Sequence, residues 1–169
     1  MRAGTGMANC YPHVLVDLCE TFEIKPMINQ VEVHPFHQQE DAKKWMDKYG
    51  VQMEAWAPFG EGRGEMFQNP VLNEIGKKYG KSAAQVILRW HLQRGVVVIP
   101  KSTHMERMQE NLNVFDFVLS VEDMVRIAAL DTKTSAFFSH YDPAMVEWFA
   151  NMVEERRRNH DCTKEKKNY

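Results

Sequence analysis

Val96-Val97-Val98-Ile99-Pro100-Lys101-Ser102-Thr103-His104-Met105-Glu106-Arg107 decides the fold of this 169-residue chain. Four β-branched residues in a row make a run too short for a helix, and Pro100 ends it because proline has no N–H for a sheet ladder. Lys101, Ser102 and Thr103 follow, and Thr103 with Glu106 has the spacing of a capping box that opens a helix over 107–113. A buried strand running directly into a capped helix is the building unit of parallel α/β structure.

The same alternation continues outward. Short β-branched runs at 27–33 and 51–55, and a glycine-rich opening at 3–9, predict three more strands. Val14, Leu15, Leu18, Cys19 and Phe22 recur at helical spacing. Leu72, Ile75, Gly76 and Tyr79 do so too, as do Val121, Met124, Val125 and Ala128. Ser82 with Gln85 caps a helix over 83–93, and Ser120 with Asp123 caps one over 121–130. Gly50, Gly80 and Gly95 close helices. Strands separated by helices predict right-handed βαβ units and a parallel sheet. About four units fit, and an open sheet and half of a barrel both accommodate them.

The quoted stretch also carries chemistry. Unsatisfied N–H groups and the positive end of a helix dipole converge after Pro100, and Lys101 and Arg107 add two full charges. Arg107, one turn into the helix, reaches back beside Thr103. This suits an anion at the C-terminal edge of a parallel strand, where α/β proteins place ligands. A plain helix cap flanked by two surface cations fits the same residues. Trp56, ending a strand before Ala57-Pro58-Phe59-Gly60, suits either stacking on a planar ligand or packing in a loop.

Composition narrows the classes. Lys and Arg number 21 against 23 Asp and Glu, a net charge of −2 with no basic footprint for nucleic acid. No run of 18 apolar residues could span a membrane, and residues 1–10 lack the apolar core of a signal peptide, so a cytoplasmic protein is expected. Cys10, Cys19 and Cys162 have no metal-ligand spacing and read as idle thiols in a reducing compartment. The seven histidines include no H-E-x-x-H, and no metal is expected. Neither a G-x-G-x-x-G with a ribose-binding acid nor a phosphate-binding P-loop is present. Gly60-Glu61-Gly62-Arg63-Gly64 reads as a mobile loop. The main domain is expected over 1–150, with a charged, solvated tail over 151–169 that contains Arg156, Arg157 and Arg158.

Several segments together resemble the aldo-keto reductases, NADPH-dependent (β/α)8-barrel enzymes that reduce carbonyls. They are Asn29-Gln30-Val31-Glu32-Val33-His34-Pro35, Glu54-Ala55-Trp56-Ala57-Pro58-Phe59-Gly60, the helix 81–90, and Val98-Ile99-Pro100-Lys101-Ser102 leading to Arg107, Glu110-Asn111 and Phe115-Asp116-Phe117. Trp at position 56, where other members have Tyr, is similar to bacterial members. The resemblance implies a partial TIM barrel of about four C-terminal βα units, and a cofactor half-site. Asn9 and Gln30 would bond the nicotinamide carboxamide, and Trp56 would stack on its ring. The backbone of Ala57, Phe59 and Gly60 would pass the pyrophosphate. Lys101, Ser102, Thr103 and Arg107 would hold the adenosine 2′-phosphate, and Glu110 and Asn111 would touch adenine.

Two departures accompany the resemblance. Ala8 and Cys10 stand where the family has a serine and an aromatic or similar residue. The resemblance also covers only the second half of the fold, whereas the family's catalytic Asp, Tyr, Lys and His lie on the first four strands. The expectation is a truncated chain that keeps the cofactor half-site, takes no part alone in reducing a small carbonyl substrate, and self-associates through exposed sheet edges. A non-catalytic NADPH-binding module, or a half barrel completed by a partner chain, are the alternatives. In the strands, Val31, Val33, Met53 and Ala55 are expected to face the helices. Gln30, Glu32 and Glu54 are left in the lumen with water as their partner.

Overall fold

Alternation in the two central strands sets the frame. In β2 (Ile28–Glu32) and β3 (Gln52–Trp56), Val31, Met53 and Ala55 are buried on one face, while Gln30 and Glu54 are half-buried on the other. A period of two does this without further help. This computed structural model describes residues 4–139 and 141–165, with side chains described as far as Arg158. Two further strands flank the centre, β1 (Gly6–Ala8) and β4 (Val97–Val98). All pairings are parallel, in the order β1-β2-β3-β4. Among the described residues, β1 and β4 are the edges.

Helices α1 (Pro12–Thr21), α2 (Glu40–Tyr49), and α3 (Pro70–Tyr79) with α4 (Ala83–Gln93) cross between successive strands, and α5 (Met105–Leu112) and α6 (Val121–Ala128) follow β4. Leu15, Met46, Leu72, Ile75, Ile87 and Ile127 are fully buried in the core. The expected α/β class and the four βα units are what the structure holds. Of α2 only its closing Gly50 was legible, which takes φ +68°. Glu40 and Asp41 in its first turn and Lys48 in its last complement the helix dipole. Gly76 in α3 has a reason beyond periodicity. A Cβ there would lie 2.4 Å from the Lys81 carbonyl oxygen, so only glycine lets the two helices turn so closely.

Polar ties fix the elements. Ser82–Gln85 and Ser120–Asp123 both form reciprocal capping boxes. His91, fully buried in α4, lies 2.8 Å from the Ile87 carbonyl and 3.0 Å from that of Val33, linking α4 to the end of β2. Burial pushes its pKa down to about 4, so a neutral ring donates to one carbonyl at a time.

The chain divides into two compact units, Met1–Ala136 and Phe137–Tyr169. The second is built on α7 (Pro143–Glu165), which runs through the boundary expected at residue 150. Where a fraying tail was expected from 151, a helix continues to 165. Asp142 caps it by accepting the Ala144 N–H at 3.0 Å, and Phe138 packs edge-on against Phe149 at 5.0 Å. Residues 166–169 lie outside the described residues, as do His140 and the side chains of His160 and Cys162. Of the other thiols, Cys19 is buried and Cys10 half-buried, and both are free.

Candidate functional site

A cavity of about 720 Å³ opens where the chain leaves the C-terminal ends of β3 and β4. Phe59 lines it from the β3 side, and Lys101, Ser102 and Thr103 from the β4 side. Arg107, Glu110 and Asn111 reach it from α5 at i, i+3, i+4 spacing, which places them on one helical face. Among the described residues, neither Lys101 nor Arg107 forms an ion pair, whereas Lys78, Lys81, Arg94 and Arg126 each hold a carboxylate. Two exposed cations therefore line one hollow, and its two acids, Glu61 and Glu110, form an ion pair with neither among the described residues. Glu110 is not a counter-charge left loose: its carboxylate accepts from the Ser82 hydroxyl, and its backbone carbonyl accepts from the Gln85 amide at 3.1 Å.

The start of α5 differs from expectation. The capping box of Thr103 with Glu106 does not form. Ser102 accepts the His104 N–H at 3.1 Å, closing a tight turn one residue early. His104 then becomes the N-cap, with no side-chain cap bond, and Glu106 falls at the second helical position. The first turn of α5 is thus uncapped beside the two cations, as an anion site requires.

Asn9, Trp56 and Ala57 stand at the ends of β1 and β3 and Gln30 in the middle of β2, not among the residues lining this cavity. Trp56 Nε1 donates to Asn9 Oδ1 at 2.7 Å, and Gln30 Nε2 donates to Glu54 Oε1 at 2.5 Å. The Asn9 amide N–H groups and the Gln30 carbonyl oxygen are not used in those bonds. Asn9 and Ala57 both take positive φ, +52° and +47°. For Ala57 this is a costly conformation, accommodated because its carbonyl accepts the Gly60 N–H at 2.8 Å in a closed turn.

A profile of the aldo/keto reductase family matches residues 3–132. The chain belongs to that family. It is 49% identical over 126 residues to the uncharacterized oxidoreductase YtbE of Bacillus subtilis, covering 75% of this chain and 44% of the relative. It is 48% identical over 126 residues to the glyoxal reductase of the same organism, covering 75% of this chain and 45% of that enzyme. Among solved structures, an aldo-keto reductase of Bombyx mori in complex with NADP superposes with a TM-score of 0.74 at 30% identity, over 79% of this chain and 46% of that one. The chain thus spans less than half the length of these relatives, and its four βα units are a partial aldo-keto reductase barrel.

Some of the candidate site escaped the sequence. Gly60-Glu61-Gly62-Arg63-Gly64 is not an open loop but part of a run of 3-10 turns over Gly60–Gln68, and it brings Glu61, Gly62 and Phe67 to the cavity. Gly60, Gly62 and Gly64 take φ of +57°, +78° and +66°, which is why a stretch read as mobile folds tightly. Ser82, known from its cap, also lines the cavity. The lumen acids do not depend on water. Glu54 holds Gln30, and Glu32, 5% exposed, accepts from His34 Nε2 at 3.0 Å, the Ala136 N–H at 2.8 Å and the Ser135 hydroxyl at 2.5 Å. Burial alone would raise the Glu32 pKa, but the bonds from His34, Ser135 and Ala136 outweigh it and hold the carboxyl below its ordinary range. Those partners lie more than a hundred residues away or inside a turn, beyond what periodicity can show.

Proposed function

We propose that this chain is the cofactor-holding part of an NADPH-dependent reductase of carbonyl compounds. The observation that carries the reading is the shared cavity of Lys101 and Arg107, two cations without carboxylate partners among the described residues, beside the uncapped start of α5. Its volume lies in the range of small-molecule sites, and its donor set suits a phosphate next to a planar heterocycle. Lys101, Arg107 and the hydroxyls of Ser102 and Thr103 would hold the 2′-phosphate, with the planar fork of Arg107 serving a phosphate and an adenine face at once. Glu110, held by Ser82, and Asn111 would meet the adenine edge. Asn9 and Gln30 retain the donor and acceptor that a carboxamide needs, and Trp56 would lie against the nicotinamide ring.

Bound NADPH supplies the hydride that a carbonyl carbon accepts. The carbonyl oxygen also needs a proton, and the resemblance assigns its source to a tyrosine on the family's first four strands, to which no residue of this chain corresponds. The reading is therefore of a chain that binds the cofactor and is silent in catalysis by itself. A half barrel completed by a partner chain is the second reading, favoured by the edge positions of β1 and β4 and by the exposure of Ile99, Leu112 and Phe115 beside β4.

Titration of the protein's tryptophan fluorescence with NADPH tests the first reading. Saturable binding that weakens by about tenfold or more on Arg107→Ala, the value of one lost charge-assisted phosphate contact, is the expected result. An unchanged affinity in that variant would contradict it.

A further inference from the structure

We infer that Glu32, which does not line the cavity, positions the cavity wall formed by residues 60–68, acting through Ala136 and Arg63; the proposal rests on the cofactor reading above. The path is short and continuous. Glu32 Oε1 accepts the Ala136 N–H at 2.8 Å, and its other oxygen takes the Ser135 hydroxyl, so the carboxylate fixes the peptide that follows α6. Across the Ala136 Cα, in the next peptide group, the Ala136 carbonyl accepts from Arg63 Nη1 at 2.8 Å. Arg63 sits in the middle of the 3-10 segment, two residues from Glu61 and one from Gly62, both in the cavity wall.

Two glycines mount the same segment on the turn that follows β2. A Cβ on Gly60 would lie 3.7 Å from the His34 ring, and one on Gly64 would lie 3.4 Å from the ring of Phe36. His34 is itself bonded to Glu32, and the Phe36 carbonyl accepts both the N–H and the hydroxyl of Thr132, at 2.9 and 2.7 Å. The turn after β2, the connection after α6 and the cavity wall thus share one anchor, and Glu32 is the charged group at its centre. A buried carboxylate accepting from three donors is a rigid support, because losing any of them leaves charge unsatisfied. The wall needs such support: Glu61 and Glu65 both hold positive φ, which tertiary contacts must enforce. Glu32 is a positioning residue, and Arg63 transmits its position to the wall.

Amide hydrogen exchange on the whole protein without cofactor, followed by NADPH dissociation rates, tests this. Arg63→Ala, at a side chain about half exposed, is expected to leave the melting temperature unchanged while speeding exchange within residues 60–68. Glu32→Gln is expected to speed exchange in the same residues and to lower the melting temperature. In both variants NADPH leaves faster, by about fivefold. The double variant is no faster than the single ones, because both changes cut one path. Arg63→Lys, which keeps a donor, restores part of the protection. Exchange at 60–68 that is unmoved by Arg63→Ala, or effects that add in the double variant, would overturn the proposal. If the wild-type protein does not bind NADPH, the cofactor reading fails, and the exchange results still decide whether Glu32 holds the wall.

Discussion

Single side chains do much of the joining here. Asn29 is fully buried on the apolar face of β2, a poor place for an amide unless every bond is made. Its Nδ2 donates to the Cys10 carbonyl at 2.8 Å and its Oδ1 accepts the Cys10 N–H at 3.3 Å, so one side chain closes the turn after β1. That turn places Asn9 in its left-handed conformation, where it meets Trp56. Asn29→Ala strands two part-buried backbone groups of Cys10 and is expected to cost about 1–2 kcal/mol in a denaturant unfolding experiment. It should also weaken the Trp56 contact, visible as a shift in tryptophan emission. Substitution with no loss of stability would mean that water replaces the amide freely.

At the scale of elements, α3 and α6 are joined through one acid. Asp123, nearly buried at the first turn of α6, accepts from Lys78 at 2.8 Å, from Tyr79 at 2.6 Å and from Ser120. Burial pushes its pKa up, but those three partners pull harder and bring it down from 3.8 to about 2. Because the folded pKa is the lower one, the stability this group contributes is present in full above pH 3.8. It is lost as the pH falls toward 2. Asp123→Ala removes a cap as well as the tie to α3, and is expected to cost about 2 kcal/mol at neutral pH. It should also flatten the acid limb of the stability curve between pH 4 and 2. A variant with an unchanged acid limb would assign that limb to other carboxylates.

Elements were legible in the sequence in proportion to how local their causes are. The Ser82 and Ser120 boxes need only four adjacent residues, and both formed where spacing placed them. The Thr103 box failed because Ser102, one residue earlier, competes for the same backbone, and spacing cannot rank two hydroxyls. The cations of the candidate site were legible because Lys101 and Arg107 lie on either side of one strand-to-helix turn. The wall from Gly60 to Gln68 was not, because its conformation depends on Phe36, His34 and Ala136, which only the folded chain brings near. The tail after 150 was read from its charges alone, yet the caps and aromatic packing that hold α7 lie before residue 150.

For the molecule as a whole, the first question is what these four βα units do by themselves. They match relatives about twice as long, among which is a glyoxal reductase, and they carry the cavity proposed above for the adenosine end of a dinucleotide. We propose that binding and chemistry are separable in this chain. The purified protein supplied with NADPH and a small aldehyde is expected to show no oxidation of the cofactor above background, since the resemblance assigns no residue of this chain to protonate the carbonyl oxygen. Steady turnover of any aldehyde would show that a proton donor is present after all. The exposed edges at β1 and β4 add a second property of the whole, an expected tendency to self-associate, which sedimentation at rising concentration would reveal.

The most direct test of the central claim is a calorimetric titration of the protein with NADPH and, in parallel, with NADH. The two cofactors differ only in the phosphate assigned to Lys101 and Arg107. NADPH is expected to bind at least about tenfold more tightly, with the advantage shrinking as salt is raised. Equal affinities at low salt would contradict the assignment of that cavity to the 2′-phosphate.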